Sequence, residues 1–461
     1  MRYDPSFASA SARAMTDVLA ECSQRSTQRD DTVRIALTSF GTRGDVQPFL
    51  VLAMALQARG HDVTLAVPPN VLEWAAQCGV RIERIGFDTQ AYMDSPEGQA
   101  MFASGNVRAI MKRMQALMHA HQDLLLADQM RICDGADVIV AGVLTEDHSA
   151  VMAEAQGIPL IALHLAPLMP TGDFAHSLVT TRDLRSRLLH RLTYAVVERL
   201  WWAAHRDSVA LLRSRMGLAS TRRPTQQRLA TTGLCSVQAF SSHLVPRPSD
   251  WGPTQRIVGS FQVPKAARRS LGEAAPAPQL AAWLEAGPPP VYVGLGSMPV
   301  REPDRMLNLL GQVARRCNCR MVVGAGWSTL ASLQDPSSEI RLVGAIDHDW
   351  LLPRCSAAVH HGGAGTTHAV VRAGLPSVVA SVFADQPFWG ARLAQLGVGC
   401  HMPFRKVTCD SLERGLRLIS KADAVAHAAT LSARMRSDPN PVSAAMRLIE
   451  ESRLDTICYA P

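Results

Sequence analysis

The sequence predicts two α/β domains in tandem, each a doubly wound, Rossmann-like parallel sheet, facing each other across a cleft. Three observations carry that reading. Apolar, β-branched runs alternate with helical stretches in two separate series, one starting at Thr32 and the other at Val291. A stretch rich in Pro, Ala and Gly, 246–290, lies between them and reads as a linker. The chain has 461 residues, about three times an ordinary domain. With 47% hydrophobic and 19% charged residues, a largely disordered chain is excluded.

The first series opens with TVRIALTSF (Thr32–Phe40), apolar nearly throughout, as a strand buried on both faces requires. The Gly-rich turn Gly41–Asp45 follows, then a helix expected to begin near Pro48 and to end at Arg59-Gly60. HDVTLAVP is the next strand, VLEWAAQCG the next helix and Val80–Ile85 a third strand. A Met-rich helical segment spans Met101–Met130. Ala136–Gly142 and Pro159–Leu165 are strands flanking a helix over Thr145–Gln156. From Leu184 to Leu218 the chain turns helical, basic and aromatic, with Leu189, Leu192, Val196, Leu200 and Ala203 at helical spacing. In the second series VYVGLGS, RMVVGAG, EIRLVG, AAVHHGG and PSVVASV are strands, with helices at 304–316, 349–354, 366–373 and 387–396. Amphipathic helical material closes the chain from Asp410 to Arg453. The expected division is a flexible leader 1–31, an N-terminal domain 32–245, the linker 246–290, a C-terminal domain 291–435, and a last helix, 436–461, packing back on the N-terminal domain.

Lys and Arg number 47 against 40 Asp and Glu, a net charge of +7. Spread over this length, that surplus suits anionic small molecules or an anionic membrane surface and does not indicate nucleic acid. The ten cysteines are scattered without a CxxC, so they read as reduced cytosolic thiols, not a disulfide framework, a zinc site or a redox pair. No run of ~20 uninterrupted apolar residues predicts a transmembrane helix, and the N-terminus lacks the apolar core of a secretory signal. The expectation is a cytoplasmic chain, with peripheral membrane contact as the variant.

The densest chemistry lies in VHHGGAGTTHAVVRAGLPSVVASVFADQPFWGARL, Val359–Leu393. A strand runs into His360-His361-Gly362-Gly363-Ala364-Gly365-Thr366-Thr367 and then into a helix. Small residues let the backbone approach a ligand closely, and a helix N-terminus offers free N–H groups and a positive dipole end, which suit a phosphate. Thr366 and Thr367 add hydroxyl donors. The alternative is a tight strand–helix turn with core histidines. The turn fits neither GxxxxGK[ST] nor a GxGxxG after the first strand.

The whole segment resembles the nucleotide-sugar signature of the UDP-glycosyltransferase superfamily, the family-1 glycosyltransferases of GT-B fold. HHGGAGTT is followed by Asp385-Gln386-Pro387 and preceded by DHDWLLPRC, Asp347–Cys355. The branch it is most similar to holds sterol glucosyltransferases, antibiotic-aglycone glycosyltransferases and rhamnosyltransferases, in which the first strand runs into G[ST]RGDVxP, as Gly41–Pro48 does here. The resemblance spans Val33 to Ile449 and is weakest between Phe87 and Gly233. It implies a GT-B fold and an inverting transfer of a hexose from a nucleotide diphosphate sugar, UDP-glucose or a dTDP-sugar, to a hydroxyl of a lipophilic acceptor. It implies no further cofactor. His360 would bind the diphosphate, with His361 its rival. The backbone of Gly363, Ala364, Gly365 and Thr366 and the hydroxyls of Thr366 and Thr367 would hold the other phosphate oxygens. Gly296-Ser297 resembles the family's GSMP turn near the phosphates. Asp385 and Gln386 would read the sugar hydroxyls, since a carboxylate accepts and an amide both accepts and donates. The alternative for Asp385 is a polar start for the helix at Pro387. Plant members place a Trp under the base; the corresponding Arg341–Ile346 holds no aromatic, which leaves UDP and dTDP both open.

Inverting transfer needs a base within hydrogen-bond reach of the acceptor hydroxyl. Where many members carry His in a GHxxP pattern, this chain has Asp45, in Gly44-Asp45-Val46-Gln47-Pro48. Asp45 is therefore the candidate base, its pKa raised by a closed cleft. The alternative is that Asp45 only caps the following helix. Thr42, Arg43 and Gly44 beside it are candidates for positioning donor or acceptor. No carboxylate cluster suggests a metal, so the expected mechanism is metal-independent. The N-terminal domain would select the acceptor. Met111, Met114 and Met118, with the Trp/Arg helix at 185–213, point to a sterol, polyketide, macrolide or similar lipophilic molecule, or to an anionic membrane surface. His164 and His176 would wall the acceptor pocket, unless they are core residues. The rival functions are a glycolipid-forming, rhamnosyltransferase-like enzyme at the inner membrane face, a non-catalytic nucleotide-sugar-binding GT-B protein, and a nucleotide-sugar epimerase.

Overall fold

Aliphatic runs without polar alternation belong in strands covered on both faces, and such runs build the centre of both domains. The computed structural model describes residues 32–103, 107–231, 234–273, 277–296, 302–324 and 337–454. The expected leader, 1–31, lies outside the described residues. The N-terminal sheet holds β1 (Arg34–Thr38), β2 (Asp62–Val67), β3 (Arg81–Arg84), β4 (Val138–Ala141), β5 (Leu160–His164), β6 (Cys235–Gln238) and β7 (Gln255–Ile257). All are parallel, in the order β3-β2-β1-β4-β5-β6-β7. The C-terminal sheet holds β8 (Val291–Gly294), β9 (Met321–Gly324), β10 (Ile340–Val343), β11 (Ala357–His360), β12 (Ser377–Ser381) and β13 (Gly399–Pro403). It too is parallel, in the order β10-β9-β8-β11-β12-β13. Every residue of β4, β5, β8, β11 and β12 is buried.

Strand order reverses between β1 and β4 in one sheet and between β8 and β11 in the other. At such a reversal the loops leaving the two strands diverge to opposite faces and open a crevice. The loops after β1, β8 and β11 are those that carry the predicted chemistry.

Several boundaries differ from expectation. The first helix spans Arg43–Ala58, with Thr42 as its N-cap, and so begins before Pro48. Pro48 sits inside it and, lacking an N–H, leaves the Gly44 carbonyl without its helical bond. The segment expected as a linker, 246–290, contains β7, a helix at Lys265–Ser270 and another at Pro278–Glu285. The last of these buries Leu280 and Leu284 against Tyr292 and Val322 of the C-terminal domain. Its prolines start and separate short elements, and Val263, Ala267 and Leu271 are buried in the N-terminal core. The Met-rich segment is broken into Pro96–Ala103, Val107–Ala120 and Gln122–Cys133. Helix Pro441–Leu454 lies on the N-terminal core, where Ala445, Met446 and Ile449 are buried, and Glu450 meets His61 at 3.2 Å.

The two domains share a large apolar cluster. Phe240, Leu244, Val245 and Trp251 come from the N-terminal side, and Val371, Phe388, Trp389 and Leu393 from the C-terminal side. His368 stitches across it: Nε2 accepts from the backbone N–H of Ser241 at 3.0 Å while Nδ1 donates to the Ala364 carbonyl at 2.7 Å. Burial pushes the His368 pKa down to about 4, which keeps the ring neutral and able to accept. A charged chain runs beside it. Arg43 pairs with Glu273, and Arg268 pairs with Glu273 at 2.6 Å and with Asp347 at 3.1 Å, and also meets Asp349.

Phe240 is 0% exposed. Phe240→Ala is expected to cost about 3–5 kcal/mol, as large-to-small core changes do, and to loosen both domains together. Urea denaturation followed by tryptophan fluorescence will check this.

Candidate functional site

The N-terminal wall of the cleft is the loop after β1. Gly41 adopts φ +136°, and a Cβ there would fall on the Asp45 carboxylate, so only glycine admits the turn. Asp45 is the third helical residue, and its Oδ2 accepts from the N–H of Thr42 at 2.7 Å and from its hydroxyl at 3.1 Å. With Thr42 this forms a capping box. The helix cap is therefore Thr42, and Asp45 is the reciprocal partner. Both contacts use Oδ2, so Oδ1 takes no part in the cap. Burial raises the Asp45 pKa, opposed by the bonds to Thr42. Gly44 is exposed. Arg43 is a correction: its guanidinium pairs with Glu273 and lies 4.6 Å above the Trp74 ring, so it is held by the protein and is not free for a ligand.

The C-terminal wall is the turn after β11. His360 is the last strand residue and 0% exposed. Its Nδ1 accepts from the Gly362 N–H at 3.1 Å. Burial, aided by the neighbouring His361, pushes its pKa down to about 3, so the ring is neutral with its proton on Nε2. That Nε2 has no partner among the described residues. A buried donor left unpaired costs about 1–3 kcal/mol, and an anionic oxygen would relieve it. The Thr367 hydroxyl is buried and unpartnered in the same way. His361 is half-buried, near the Gly294 carbonyl (Nδ1 at 3.4 Å), and burial lowers its pKa. A Cβ on Gly296 or on Gly363 would collide with its ring, so these two glycines make the space that His361 occupies. Ser297 lies outside the described residues. Helix Ala364–Arg372 starts from Gly363 with no side-chain cap, which leaves the N–H groups of Ala364, Gly365 and Thr366 without helical partners. Gly365 is exposed and Thr366 half-buried at that end.

The third component is the loop after β12. Ala384 takes φ +56°, a left-handed conformation that costs a non-glycine residue about 1–3 kcal/mol. It sets Asp385 at the start of helix Gln386–Gln395. Asp385 makes no capping bond there; its Oδ2 accepts from Trp389 Nε1 at 2.7 Å. Gln386 is a partial correction. Its Oε1 accepts from the N–H groups of Val382 at 2.8 Å and Phe383 at 3.3 Å, so its carbonyl end shapes the loop and is not open to a sugar.

The two walls meet electrostatically. Burial raises the Asp385 pKa to about 6, and the Asp45 charge across the cleft adds to the rise, against the Trp389 bond. Beside them Phe383, Tyr92 and Met114 pack on Met93, an apolar patch contributed by both domains. His164 and His176 are 2% and 5% exposed. His164 bonds Glu146 at 2.8 Å and His176 stacks edge-on with Tyr194, so both are core residues. Among the described residues, no group of three or more His, Cys, Asp or Glu is placed to hold a metal ion. Sequence reasoning missed Trp389, whose spacing of four from Asp385 on a helix start was a usable signal. It also missed His368, Glu273 and Phe383, which no local pattern marks.

Residues 35–172 match the model of the glycosyltransferase family 28 N-terminal domain, and residues 308–451 that of the erythromycin biosynthesis protein CIII-like C-terminal domain. The chain is 33% identical to sterol 3-beta-glucosyltransferase UGT80A2 of Arabidopsis thaliana over 88% of its own length, and spans only 63% of that relative. It is 30% identical to the uncharacterized glycosyltransferase Rv1524 of Mycobacterium tuberculosis over 91% of this chain and 99% of that one. Among solved structures it is similar to the glycotransferase of kitacinnamycin, with a TM-score of 0.66 at 20% identity over 91% of this chain and 99% of that one. It is also similar to glycosyltransferase VinC in complex with dTDP, with a TM-score of 0.59 at 19% identity over 91% and 100%.

The Asp385 carboxyl is expected to titrate near pH 6 in the ligand-free protein. Trp389→Phe, which removes the bond favouring the charged form, should move it higher. Carboxyl ¹³C chemical shifts against pH will read both.

Proposed function

Because the chain belongs to the UDP-glycosyltransferase superfamily and has the GT-B fold, we propose that it is an inverting glycosyltransferase moving a hexose from a UDP- or dTDP-sugar to a hydroxyl of a lipophilic acceptor. The observation that carries this is the pairing of a partly unsatisfied donor turn with a carboxylate opposite it. On one wall stand the unpartnered His360 Nε2–H, the Thr367 hydroxyl and the open N–H groups at Ala364–Thr366. On the other stands Asp45, near enough to Asp385 to raise its pKa.

In this reading the diphosphate sits at the helix N-terminus, where the dipole and the imidazole N–H meet its charge. Asp385 accepts from sugar hydroxyls. The acceptor, lying against Met93, Tyr92, Met114 and Phe383, presents its hydroxyl to Asp45 Oδ1. Asp45 takes the proton as the acceptor oxygen forms its bond to the anomeric carbon. The bond from that carbon to the diphosphate oxygen breaks on the opposite face. One displacement inverts the configuration, and the electron pair leaves on the diphosphate, whose charge falls on the positive helix end. No step calls for a metal ion. The raised pKa of Asp45 brings its basicity nearer to working pH. The apolar patch, and the sterol glucosyltransferase relatives, support a lipophilic acceptor.

Calorimetry with UDP and with dTDP, each with and without EDTA, tests the donor side. Binding of one nucleotide, unaffected by chelation, is the expected result. Binding of neither overturns the reading. Asp45→Asn keeps an acceptor for the Thr42 cap and is expected to lower turnover by about 10²–10⁴ while nucleotide affinity stays unchanged. Single-turnover kinetics beside the same calorimetry will check it; normal turnover would leave Asp45 with its helix alone.

A further inference from the structure

Of the nine exposed large hydrophobic side chains among the described residues, five stand on one helix, Arg187–Arg215. They are Leu188, Leu189, Leu192, Val196 and Leu200, and Leu188 and Leu200 are 76% and 64% exposed. Their spacing keeps them on one face. The opposite face is spent on the fold, with His190, Thr193, Tyr194, Val209 and Leu212 buried. The helix is also pinned by Trp201 to Asp147 at 2.8 Å and by Arg213 to Glu154 at 2.6 Å. It therefore presents a second, unpartnered apolar face that the domain core does not use. Charge accompanies it. Arg187 and Arg191 are paired with Asp173 and Asp250 and Arg206 lies 3.4 Å from Asp207, while at 100° per residue Arg199 and Arg206 project beside the leucines. No helix among the described residues is long and apolar enough to cross a membrane, so this face can lie on a bilayer and not within one.

We propose that the Leu188–Leu200 face is a docking surface for an anionic phospholipid bilayer. An apolar stripe edged by arginine is the pattern of a helix lying in the plane of a lipid interface, its apolar side among the acyl chains and its cations at the phosphates. A second copy of the chain fits less well. Two such faces packed together would bring Arg199 and Arg206 of one copy against the apolar stripe or the arginines of the other, whereas an anionic bilayer offers phosphates to both. The position is also informative. The helix starts from the loop that leaves the carboxyl end of β5, the edge at which the N-terminal sheet meets the cleft, and Val179 on that loop is 47% exposed. Docked this way, the mouth of the acceptor side opens at the lipid surface. This last point rests on the lipophilic-acceptor reading; the docking itself does not.

Cosedimentation of the full chain with vesicles of phosphatidylglycerol and of phosphatidylcholine tests it. The expected result is pelleting with phosphatidylglycerol, little with phosphatidylcholine, and weaker binding in high salt. Leu192→Ser/Leu200→Ser should lower partitioning on the order of tenfold or more, and Arg199→Glu/Arg206→Glu should remove the preference for the anionic lipid, each with an unchanged thermal melt. Absence of binding to both vesicles, or equal binding by the leucine variant, overturns the proposal. So does sedimentation velocity showing a dimer that the leucine variant converts to monomer, since the face would then belong to a second copy. Nucleotide calorimetry does not enter this measurement, so the donor-site reading and the docking surface fail or stand separately.

Discussion

The hydrogen bond from Trp389 to Asp385 ties the acidic end of the cleft to the core. The ring of Trp389 is fully buried and packs against Phe240 from one domain and Phe388 and His368 from the other. A buried indole N–H must find an acceptor, and here the acceptor is the carboxylate that faces Asp45. The side chain that joins the domains thus also orients the group that would read the sugar. His368 repeats the arrangement one helix away. It takes a backbone N–H from the N-terminal domain and gives its own proton to the carbonyl of Ala364, the first residue of helix Ala364–Arg372. The relative setting of the two sheets and the placement of donor-side groups are therefore one constraint, and neither relaxes without the other.

What was legible in the sequence was contiguous. Strands such as Val138–Ala141 and Leu160–His164 announce themselves because every residue is buried and apolar or nearly so. β6, β7 and β13 are three to five residues long and mixed in polarity, CSVQ, QRI and GCHMP, and carry no period to read. Pro48 suggested a helix start because proline favours first positions; the Thr42–Asp45 capping box three residues apart was the stronger signal. The prolines between 246 and 290 suggested a free linker, yet they delimit short packed elements. The same holds at the site. His360, His361, Asp385 and Asp45 could be picked out because each lies in a short run of diagnostic residues. Glu273, Arg268, Phe383 and Met93 are brought to the cleft by the fold alone. Arg43, which looked like a ligand group, is consumed by that distant partner.

The electrostatics of the cleft are asymmetric. One side concentrates donors: an uncapped helix end and a neutral histidine whose outer nitrogen has nothing to give its proton to. Facing them across the cleft are two carboxylates, Asp45 from one domain and Asp385 from the other, in surroundings that resist their ionisation. On their own, both halves are unfavourable in opposite senses. A molecule with an anionic end and a hydroxyl-bearing end would relieve both at once, which is the physical content of a two-ended substrate bridging two domains. The strain at Ala384 belongs to the same account, since the surrounding packing holds a backbone conformation that the isolated loop would abandon.

Helix Pro441–Leu454 completes the hydrophobic core of the domain that begins at residue 32. The chain therefore passes between the domains twice, once after β7 and once before this helix. During synthesis the N-terminal sheet would emerge early but lack part of its cover until the last helix arrived, after the entire C-terminal domain had been made. Folding of this chain is thus not strictly vectorial. The N-terminal sheet is completed only after the C-terminal domain, by residues 441–454.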